Sequence, residues 1–442
     1  MEAPPSDAAA QPSTSPEPSA APGGGRIPLL VLGLLVVLLT AYMAGKYLHH
    51  DFKDAEVWYD AGRRVLEGWT LANLPHYRYP PTFAVLVAPL CALGFAPFYF
   101  AWYVINLWLF GASGGLARGI ALPSAQHVPR RYRWLPMLIV AAFAVDNLIL
   151  GQTNILIMAL LYLTFRDDLR NRQWRAGIPL GAAIAIKAFP APLLAYFVFR
   201  LRLRLVASAL LSCAFFLLVV PAPVRGFQRN LREVSDWGQR VAMPYLSRGQ
   251  AGDWGQHALD FGNQSLPAVM RRYLTRVDAQ VTARESAPIY VNVADLSSRV
   301  ANLVVLGLFA ALGLGFMAAC GLRRPRSQVE LAGEYALATV LLLLVSALSW
   351  TYFFVMLLLP VVVALRLLEN RKPLTRLSVW ALRVALWGLV AATVLLGSHY
   401  ARALGNVFWA SVLFFLALAM ARRDLRTSPC AASGSASDGA RQ

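Results

Sequence analysis

A small set of ionisable and amide side chains interrupts otherwise apolar stretches of this sequence. In chain order they are Asp51, Asp54, Asp146, Asn147, Gln152, Asn154 and Lys187. A carboxylate can take the proton of an attacking hydroxyl, and a buried ammonium can bind an anion. Because a lysine inside a membrane is costly without a partner, Lys187 is a candidate functional residue. The pattern predicts a base beside an anion site.

Some of these residues also have structural interpretations. Asp54 is well placed as the N-cap of an amphipathic helix that begins near Ala55 and stops at Gly68. Lys187 could instead reach a lipid headgroup or pair with Asp146. The residues alone leave both interpretations open.

The elements that must position these groups are membrane spans. Apolar residues make up 57% of the chain and charged residues 14%, and the block 27–47 is long enough to cross the ~30 Å hydrocarbon layer. A signal peptide is excluded because the block is too long and further spans follow. Further candidate spans cover about 82–96, 98–117, 134–150, 153–165, 177–199, 205–222, 300–320, 335–349, 351–368, 379–397 and 403–421. We therefore predict an all-α polytopic membrane protein.

The net charge of +18 comes from arginine clusters at the ends of apolar blocks, a pattern typical of membrane topology and not of nucleic-acid binding. The positive-inside rule assigns these clusters to the cytoplasm. If 82–96 and 98–117 both cross, the cluster that begins at Arg130 lies outside; either one segment does not cross or this cluster is an exception. The segment 177–199 carries Lys187 and Pro190 and is predicted to be a broken helix.

The chain divides into a membrane domain, 26–423, and two polar tails. Residues 1–25 and 424–442 are rich in small and polar residues and are predicted to be disordered, the first tail being cytoplasmic. Two polar segments within the domain, about 48–81 and 224–299, are predicted to be external loops. They form the candidate working surface.

Five short elements follow one another in a characteristic order. They are Asp54–Gly68 with Tyr77–Pro81, Gly151–Asn154, Lys187–Pro190, Asn263–Ser265 and Ser349–Tyr352. Together they resemble glycosyltransferase family 87, polyprenyl-phosphate-sugar-dependent mannosyltransferases of the GT-C fold, over about residues 30–420. The family more often has an aromatic residue directly after the loop aspartate, whereas here Ala55 follows Asp54 and Phe52 follows Asp51. The spacing to Gly68 favours Asp54, with Asp51 as the alternative.

The resemblance implies a GT-C-type fold with about 11–12 transmembrane or partly spanning helices. It implies transfer of a hexose, which we take to be mannose, from a polyprenyl-phosphate sugar to a glycolipid or glycan acceptor, with inversion. The active site would face the outside or periplasm of the plasma (inner) membrane. A transporter or flippase of a lipid-linked sugar and a lipid-linked glycan ligase stay open as alternatives, although a transporter has no need of the loop aspartate.

The resemblance and the chemistry together predict a set of site residues. One base, Asp54, suffices because the phosphate oxygen leaves as a stable anion, unlike the two-carboxylate arrangement of glycoside hydrolysis. Lys187, Arg271 and Arg272 are predicted to bind the donor phosphate. The predicted substrate-binding residues are His76, Tyr77, Arg78, Tyr79, Gln152, Asn154, Asn263 and Tyr352, although an interfacial aromatic belt would also explain the tyrosines. No cofactor, metal or nucleic-acid partner is predicted.

Overall fold

The structure of the protein is a computed structural model that describes residues 26–49, 54–72, 74–122, 131–244, 252–281, 287–370 and 374–427. The predictions for Asp51 and for most of the two tails lie outside these residues. The last helix runs to Thr427.

The described residues fold into α-helices joined by short turns. In chain order the helices are α1 (Arg26–Leu48), α2 (Asp54–Leu66), α3 (Pro81–Cys91), α4 (Phe95–Ala121), α5 (Arg131–Ile139), α6 (Ala141–Leu150), α7 (Asn154–Leu169), α8 (Gln173–Ile186), α9 (Leu193–Phe199), α10 (Leu203–Ala214), α11 (Ala222–Arg225), α12 (Phe227–Trp237), α13 (Leu266–Leu274), α14 (Ser298–Cys320), α15 (Gln328–Val345), α16 (Leu358–Glu369), α17 (Arg376–Val394), α18 (His399–Ala403) and α19 (Asn406–Thr427). Within the described ranges the β-type pairing is a single isolated bridge between Asn263 and Trp350.

Seven helical segments among the described residues are long and apolar enough to cross a membrane. They are Phe95–Ala121, Leu203–Arg225, Ser298–Cys320, Gln328–Val345, Thr351–Glu369, Arg376–Gly397 and Asn406–Thr427. The pair Arg133–Ile139 and Ala141–Leu150 is apolar enough as one unit but is bent by 63°. The prediction of an all-α polytopic membrane protein is confirmed, with several of the predicted spans short or broken.

The short helix α3 explains the conflict in the positive-inside pattern. It has 11 residues, about 16 Å at 1.5 Å per residue, and cannot cross the membrane alone. It packs side by side with α2: a Cβ added to Gly62 would lie 2.3 Å from the Cys91 sulfur, and the rings of Trp58 and Phe83 are 5.4 Å apart. Between the first polar segment and residue 122, α4 alone among the described helices is long and apolar enough to cross, and its end is bonded to Gln328 at the start of α15.

That end of the bundle is held by buried ion pairs. Glu334 on α15 accepts hydrogen bonds from Arg200, at 2.8 Å to Nε, and from Arg422 on α19, at 2.7 Å. Arg200 also donates to the carbonyl of Arg323, and Gln328 at the start of α15 binds carbonyls at the end of α4. Three basic clusters predicted to be cytoplasmic therefore meet at one end.

The two polar segments predicted to be external also come together. Trp237 on α12 donates from its indole to the carbonyl of Arg78 at 2.9 Å, and Glu233 on the same helix accepts from the backbone N–H of Leu71 at 3.2 Å. An ion pair between Glu233 and Arg225 fixes α12 at its base. The loop that precedes α3 is thus supported by the start of the second polar segment.

Candidate active site

The site is organised by the turn between α6 and α7. Gly151 ends α6 in a left-handed conformation, with φ +69°, and its carbonyl accepts hydrogen bonds from the indoles of Trp58 at 2.9 Å and Trp102 at 2.8 Å. A Cβ at Gly151 would lie 2.9 Å from the Cβ of Ala55. Only glycine fits this contact without strain, and a bulky side chain at position 55 would not fit against it. The small residue after Asp54, which departs from the family pattern, is therefore where α2 docks on the turn.

The docking brings Asp54 to the residue after Gly151. Gln152 is buried, and its amide N–H donates to the Asp54 carboxylate. The hydroxyl of Tyr79 donates to the other amide atom of Gln152, Oε1, at 3.2 Å and lies 3.0 Å from the Thr153 hydroxyl. The carboxylate is thus oriented by a side chain whose own amide is fixed at both ends.

Lys187 lies at a break between two helices, as its segment predicts. Helix α8 ends at Ile186 and α9 begins at Leu193. The Lys187 ammonium donates to Asn154 Oδ1 at 3.0 Å, so this amide is a direct partner of the lysine.

Three aromatic rings surround the Lys187 ammonium. Its nitrogen lies 4.1 Å from the ring centroid of Phe353, 5.3 Å from that of Tyr79 and 5.9 Å from that of Tyr352. Such faces stabilise a cation without neutralising it. The described contacts of this ammonium are a neutral amide and aromatic faces, and an anion could add a charge-assisted hydrogen bond to it.

Tyr79 connects the two charged groups. Its hydroxyl reaches the amide that holds Asp54, while its ring lies beside Lys187, and the Asp54 charge acts on Lys187. A carboxylate and a lysine are therefore connected through the side chains of Gln152 and Tyr79. The arrangement suits a reaction that removes a proton at one end and stabilises an anion at the other.

Comparison with known proteins agrees with this geometry. The sequence model of glycosyltransferase family 87 matches residues 77–347, more than half of the chain. The chain belongs to glycosyltransferase family 87. Its apolar helices make it a multi-pass membrane protein of this family, in agreement with the fold class predicted from the sequence.

Curated relatives of this family 87 protein come from Mycobacterium tuberculosis. A polyprenol-phosphate-mannose-dependent alpha-(1-2)-phosphatidylinositol mannoside mannosyltransferase is 32% identical over 218 residues, covering 43% of this chain and 50% of the relative. An alpha-(1->3)-arabinofuranosyltransferase is 30% identical over 163 residues, covering 33% of this chain and 34% of the relative. The chain thus spans half or less of the length of these relatives.

A solved structure also shows a distant likeness. ArnT from Cupriavidus metallidurans, in its apo state, aligns over 90% of this chain and 78% of its own, with 13% identity and a TM-score of 0.36. At this TM-score the two proteins are only distantly alike.

The structure does not bring Asn263 into the cluster around Asp54. This residue is fully buried, and its Nδ2 donates to the carbonyls of Ala258 and Ala347. Its Oδ1 accepts from the backbone N–H groups of Ser265 and Ser349. The Asn263–Ser265 element therefore ties the second polar segment to the chain before residue 351.

The two arginines after that element have local roles. Arg272 is fully buried and donates to the carbonyls of Ala403 at 2.9 Å and Asn263 at 2.9 Å. Burial lowers its pKa to about 10, so it stays cationic at neutral pH. Arg271 donates to Asn302. In the described contacts Arg272 binds backbone carbonyls and Arg271 binds a side chain on α14, whereas Lys187 is connected to Asp54 through Tyr79 and Gln152.

Of the predicted site residues in the loop before α3, some hold the loop in shape and others contact the site. Tyr77 is buried and donates to the carbonyl of Pro80 at 2.9 Å, which closes the loop. His76 is exposed, with a left-handed φ of 61°, and Arg78 contributes its carbonyl to Trp237. Tyr79 follows this turn, and its hydroxyl reaches the Gln152 amide that holds Asp54.

Sequence reasoning did not single out Trp58, Trp102, Thr153 or Phe353, all of which contact the site. The two indoles that hold Gly151 are separated by 93 and 49 residues from it, and no local pattern marks them. Among the described residues, no three His, Cys, Asp or Glu side chains stand close enough to hold a metal ion. That no metal is required stays a prediction.

Proposed function

We propose that this family 87 glycosyltransferase moves mannose from a polyprenyl-phosphate sugar to a glycolipid or glycan acceptor, with inversion, on the non-cytoplasmic face of the membrane. The observation that carries the proposal is the Asp54 carboxylate joined through Gln152 and Tyr79 to the Lys187 ammonium. The choice of mannose draws on the relative that is named for a polyprenol-phosphate-mannose donor.

In this mechanism Asp54 accepts the proton of the acceptor hydroxyl as its oxygen attacks the anomeric carbon. The bond from that carbon to the phosphate oxygen breaks, and its electron pair leaves on the phosphate. Gln152 keeps the carboxylate oriented, and Lys187 stabilises the phosphate by a charge-assisted hydrogen bond. One displacement inverts the anomeric centre, and no general acid is needed.

The side of the membrane on which the site lies is inferred from the positions of the basic clusters. The basic clusters around Arg200, Arg323 and Arg422 meet at one end, which the positive-inside rule assigns to the cytoplasm. The supported loop 69–79 belongs to the polar segments that alternate with these clusters along the chain. We therefore place Asp54 on the non-cytoplasmic face.

The test is transfer by the purified full chain in lipid nanodiscs, with polyprenyl-phosphate mannose, a panel of acceptors and mass spectrometry of the product. Asp54→Asn keeps the size of the side chain and the helix start but cannot take a proton. We expect a loss of about 10²–10⁴-fold in rate. Asp60→Asn, on the same helix, is the matched control and is expected to keep activity.

The same assay separates the other interpretations. If Asp51→Asn loses activity and Asp54→Asn does not, the base is the alternative aspartate. If both stay active, the enzyme mechanism proposed here is wrong and a transporter becomes the better explanation.

The phosphate site is tested by removing its cation. Lys187→Met is expected to lose donor binding, with partial recovery in Lys187→Arg because a planar guanidinium does not replace a compact ammonium. Arg271→Met serves as the comparison and is expected to bind the donor normally. Normal turnover in Lys187→Met would return this lysine to a structural role.

A second donor also has a specific observation in its favour, since one relative is named as an arabinofuranosyltransferase. Polyprenyl-phosphate arabinofuranose is therefore offered in parallel with the mannose donor. Preference for the pentose would keep the proposed roles of Asp54 and Lys187 and change only the sugar.

A further inference from the structure

A second carboxylate, Asp146, is connected to the Lys187 site through the neighbouring residues Thr351 and Tyr352. It is carried by α6, five residues before Gly151, and its Oδ2 accepts a hydrogen bond from the hydroxyl of Thr351. The next residue, Tyr352, has its ring 5.9 Å from the Lys187 ammonium and feels the charges of both Asp54 and Asp146. A line of contacts therefore runs from Asp54 past Lys187 to Asp146.

The guanidinium of Arg402 interacts electrostatically with this second carboxylate. Arg402 on α18 lies over the ring of Phe261 at 4.4 Å, and the charge of Asp146 acts on it. The carbonyl of Arg402 accepts a hydrogen bond from the side chain of Gln264 at 2.7 Å. Gln264 is a buried residue of the second polar segment, and this bond fixes the backbone at Arg402. In the described structure its Nε is buried without a hydrogen-bond partner. Asp146 thus has a positioned counter-charge and a half-buried, oriented carboxylate.

The hydroxyl groups of the donor sugar need hydrogen-bond partners that the proposed roles of Asp54 and Lys187 do not provide. In a single displacement the attacking oxygen, the anomeric carbon and the leaving oxygen lie in line, and these two residues serve the ends of that line. The ring hydroxyls of the donor sugar project away from it and need hydrogen-bond partners of their own. A carboxylate accepts from sugar hydroxyls by charge-assisted hydrogen bonds, which are roughly twice as strong as neutral ones.

We propose that Asp146 is a specificity-determining residue that accepts hydrogen bonds from the ring hydroxyls of the donor sugar, with Thr351 and Arg402 as its positioning residues. The inference rests on the proposed function, because it assumes that the Lys187 site holds a sugar phosphate. It assigns to Asp146 a role that differs from proton transfer and from phosphate binding.

Binding of two lipids by the full chain in nanodiscs tests the assignment. Polyprenyl-phosphate mannose carries both the phosphate and the sugar, and polyprenyl phosphate carries the phosphate alone. Asp146→Asn is expected to weaken binding of the mannosyl lipid by about 10- to 100-fold, the loss of one hydrogen bond to a charged group, and to leave polyprenyl phosphate unchanged. Lys187→Met is expected to weaken both lipids.

The sugar itself supplies the second arm. For the wild-type chain, the 2-, 3-, 4- and 6-deoxy forms of the mannosyl lipid should include at least one that binds about 10-fold or more weakly. Asp146→Asn should discriminate between that form and the parent much less than the wild-type chain does, because the hydroxyl then meets a neutral acceptor in place of a charged one. Thr351→Val is expected to shift binding in the same direction by a smaller factor, and it carries the test if Asp146→Asn does not fold. Asp295→Asn, an exposed carboxylate bonded to the Arg276 backbone, is the control.

Each failure has its own signature. If the wild-type chain binds neither lipid, the proposed function is wrong. If it binds both and Asp146→Asn weakens them equally, or leaves the discrimination among deoxy forms intact, the assignment of Asp146 to the sugar is wrong while the function stands.

Discussion

Replacing Gly151 by alanine tests how the turn positions Asp54. The change imposes two penalties. A left-handed φ of +69° costs a residue with a Cβ about 1–2 kcal/mol. The new Cβ would also lie 2.9 Å from the Cβ of Ala55 and 3.4 Å from its Cα.

The second penalty sets the size of the functional effect. Carbon atoms pack at about 3.5–4.0 Å, so α2 must move by up to about 1 Å to relieve the contact. The atoms that make this close contact are the Cβ and the backbone atoms of Ala55, and no side-chain rotation can move them away. A displacement of about 1 Å at a reacting group costs on the order of 10²-fold in rate. We therefore expect Gly151→Ala to lose about 100-fold in transfer rate and to unfold at lower temperature.

The two penalties can be separated by companion variants. Ala55→Gly added to Gly151→Ala restores the space but not the φ, so activity should return to within about 10-fold of wild type while stability stays low. Gly68→Ala is the matched control, because Gly68 has a φ of +72° and no atom within 4 Å of an added Cβ. It should lose stability and keep the rate.

The assay is transfer rate in nanodiscs together with thermal unfolding of the same preparations. If the double variant is as inactive as Gly151→Ala, contact with Ala55 does not position Asp54. If Gly68→Ala loses as much activity as Gly151→Ala, general destabilisation explains both and the docking argument is refuted.

Three further outcomes follow from contacts described above. Tyr79→Phe keeps the ring beside Lys187 but loses the bond to Gln152, so kcat should fall about 10-fold with donor affinity retained; a fall in affinity alone would contradict this. Glu334→Gln leaves buried Arg200 without the carboxylate it pairs with and leaves Arg422 with Glu330, and it should cost about 3–5 kcal/mol in unfolding free energy. Glu369→Gln, in the partly exposed pair with Arg366, should cost about 1 kcal/mol or less. In a chain whose four cysteines are removed, cysteines at positions 72 and 252 should both label from outside intact spheroplasts, and labelling of either only after lysis would reverse the proposed facing.

The sequence predicted features that depend on local composition. The broken helix at Lys187 was predictable because Pro190 removes a backbone donor and because a charged residue marks the break. The order of the apolar blocks likewise predicted a polytopic helical protein. The resemblance placed Gln152 and Asn154 among the predicted substrate-binding residues, but it did not predict the hydrogen bonds that they make with Asp54 and Lys187.

What the sequence could not predict depends on distant contacts. The residues of α3 are as apolar as those of a span, and only its packing against α2 and the left-handed turn at Gly94 show that it stops short. Asn263 is polar in a polar segment, so its burial could not be inferred. Its side chain is held in the interior by hydrogen bonds to the backbone of Ala347 and Ser349, more than eighty residues away.

The ion-pair cluster around Glu334 has a consequence for biogenesis. Its members emerge from the ribosome in the order Arg200, Glu334 and Arg422, with 134 residues between the first two and 88 between the last two. Arg422 is synthesised 88 positions after Glu334, so this layer cannot be complete until α19 has been made and has packed against α15. Stability of this end of the bundle therefore depends on a helix that is made late in synthesis.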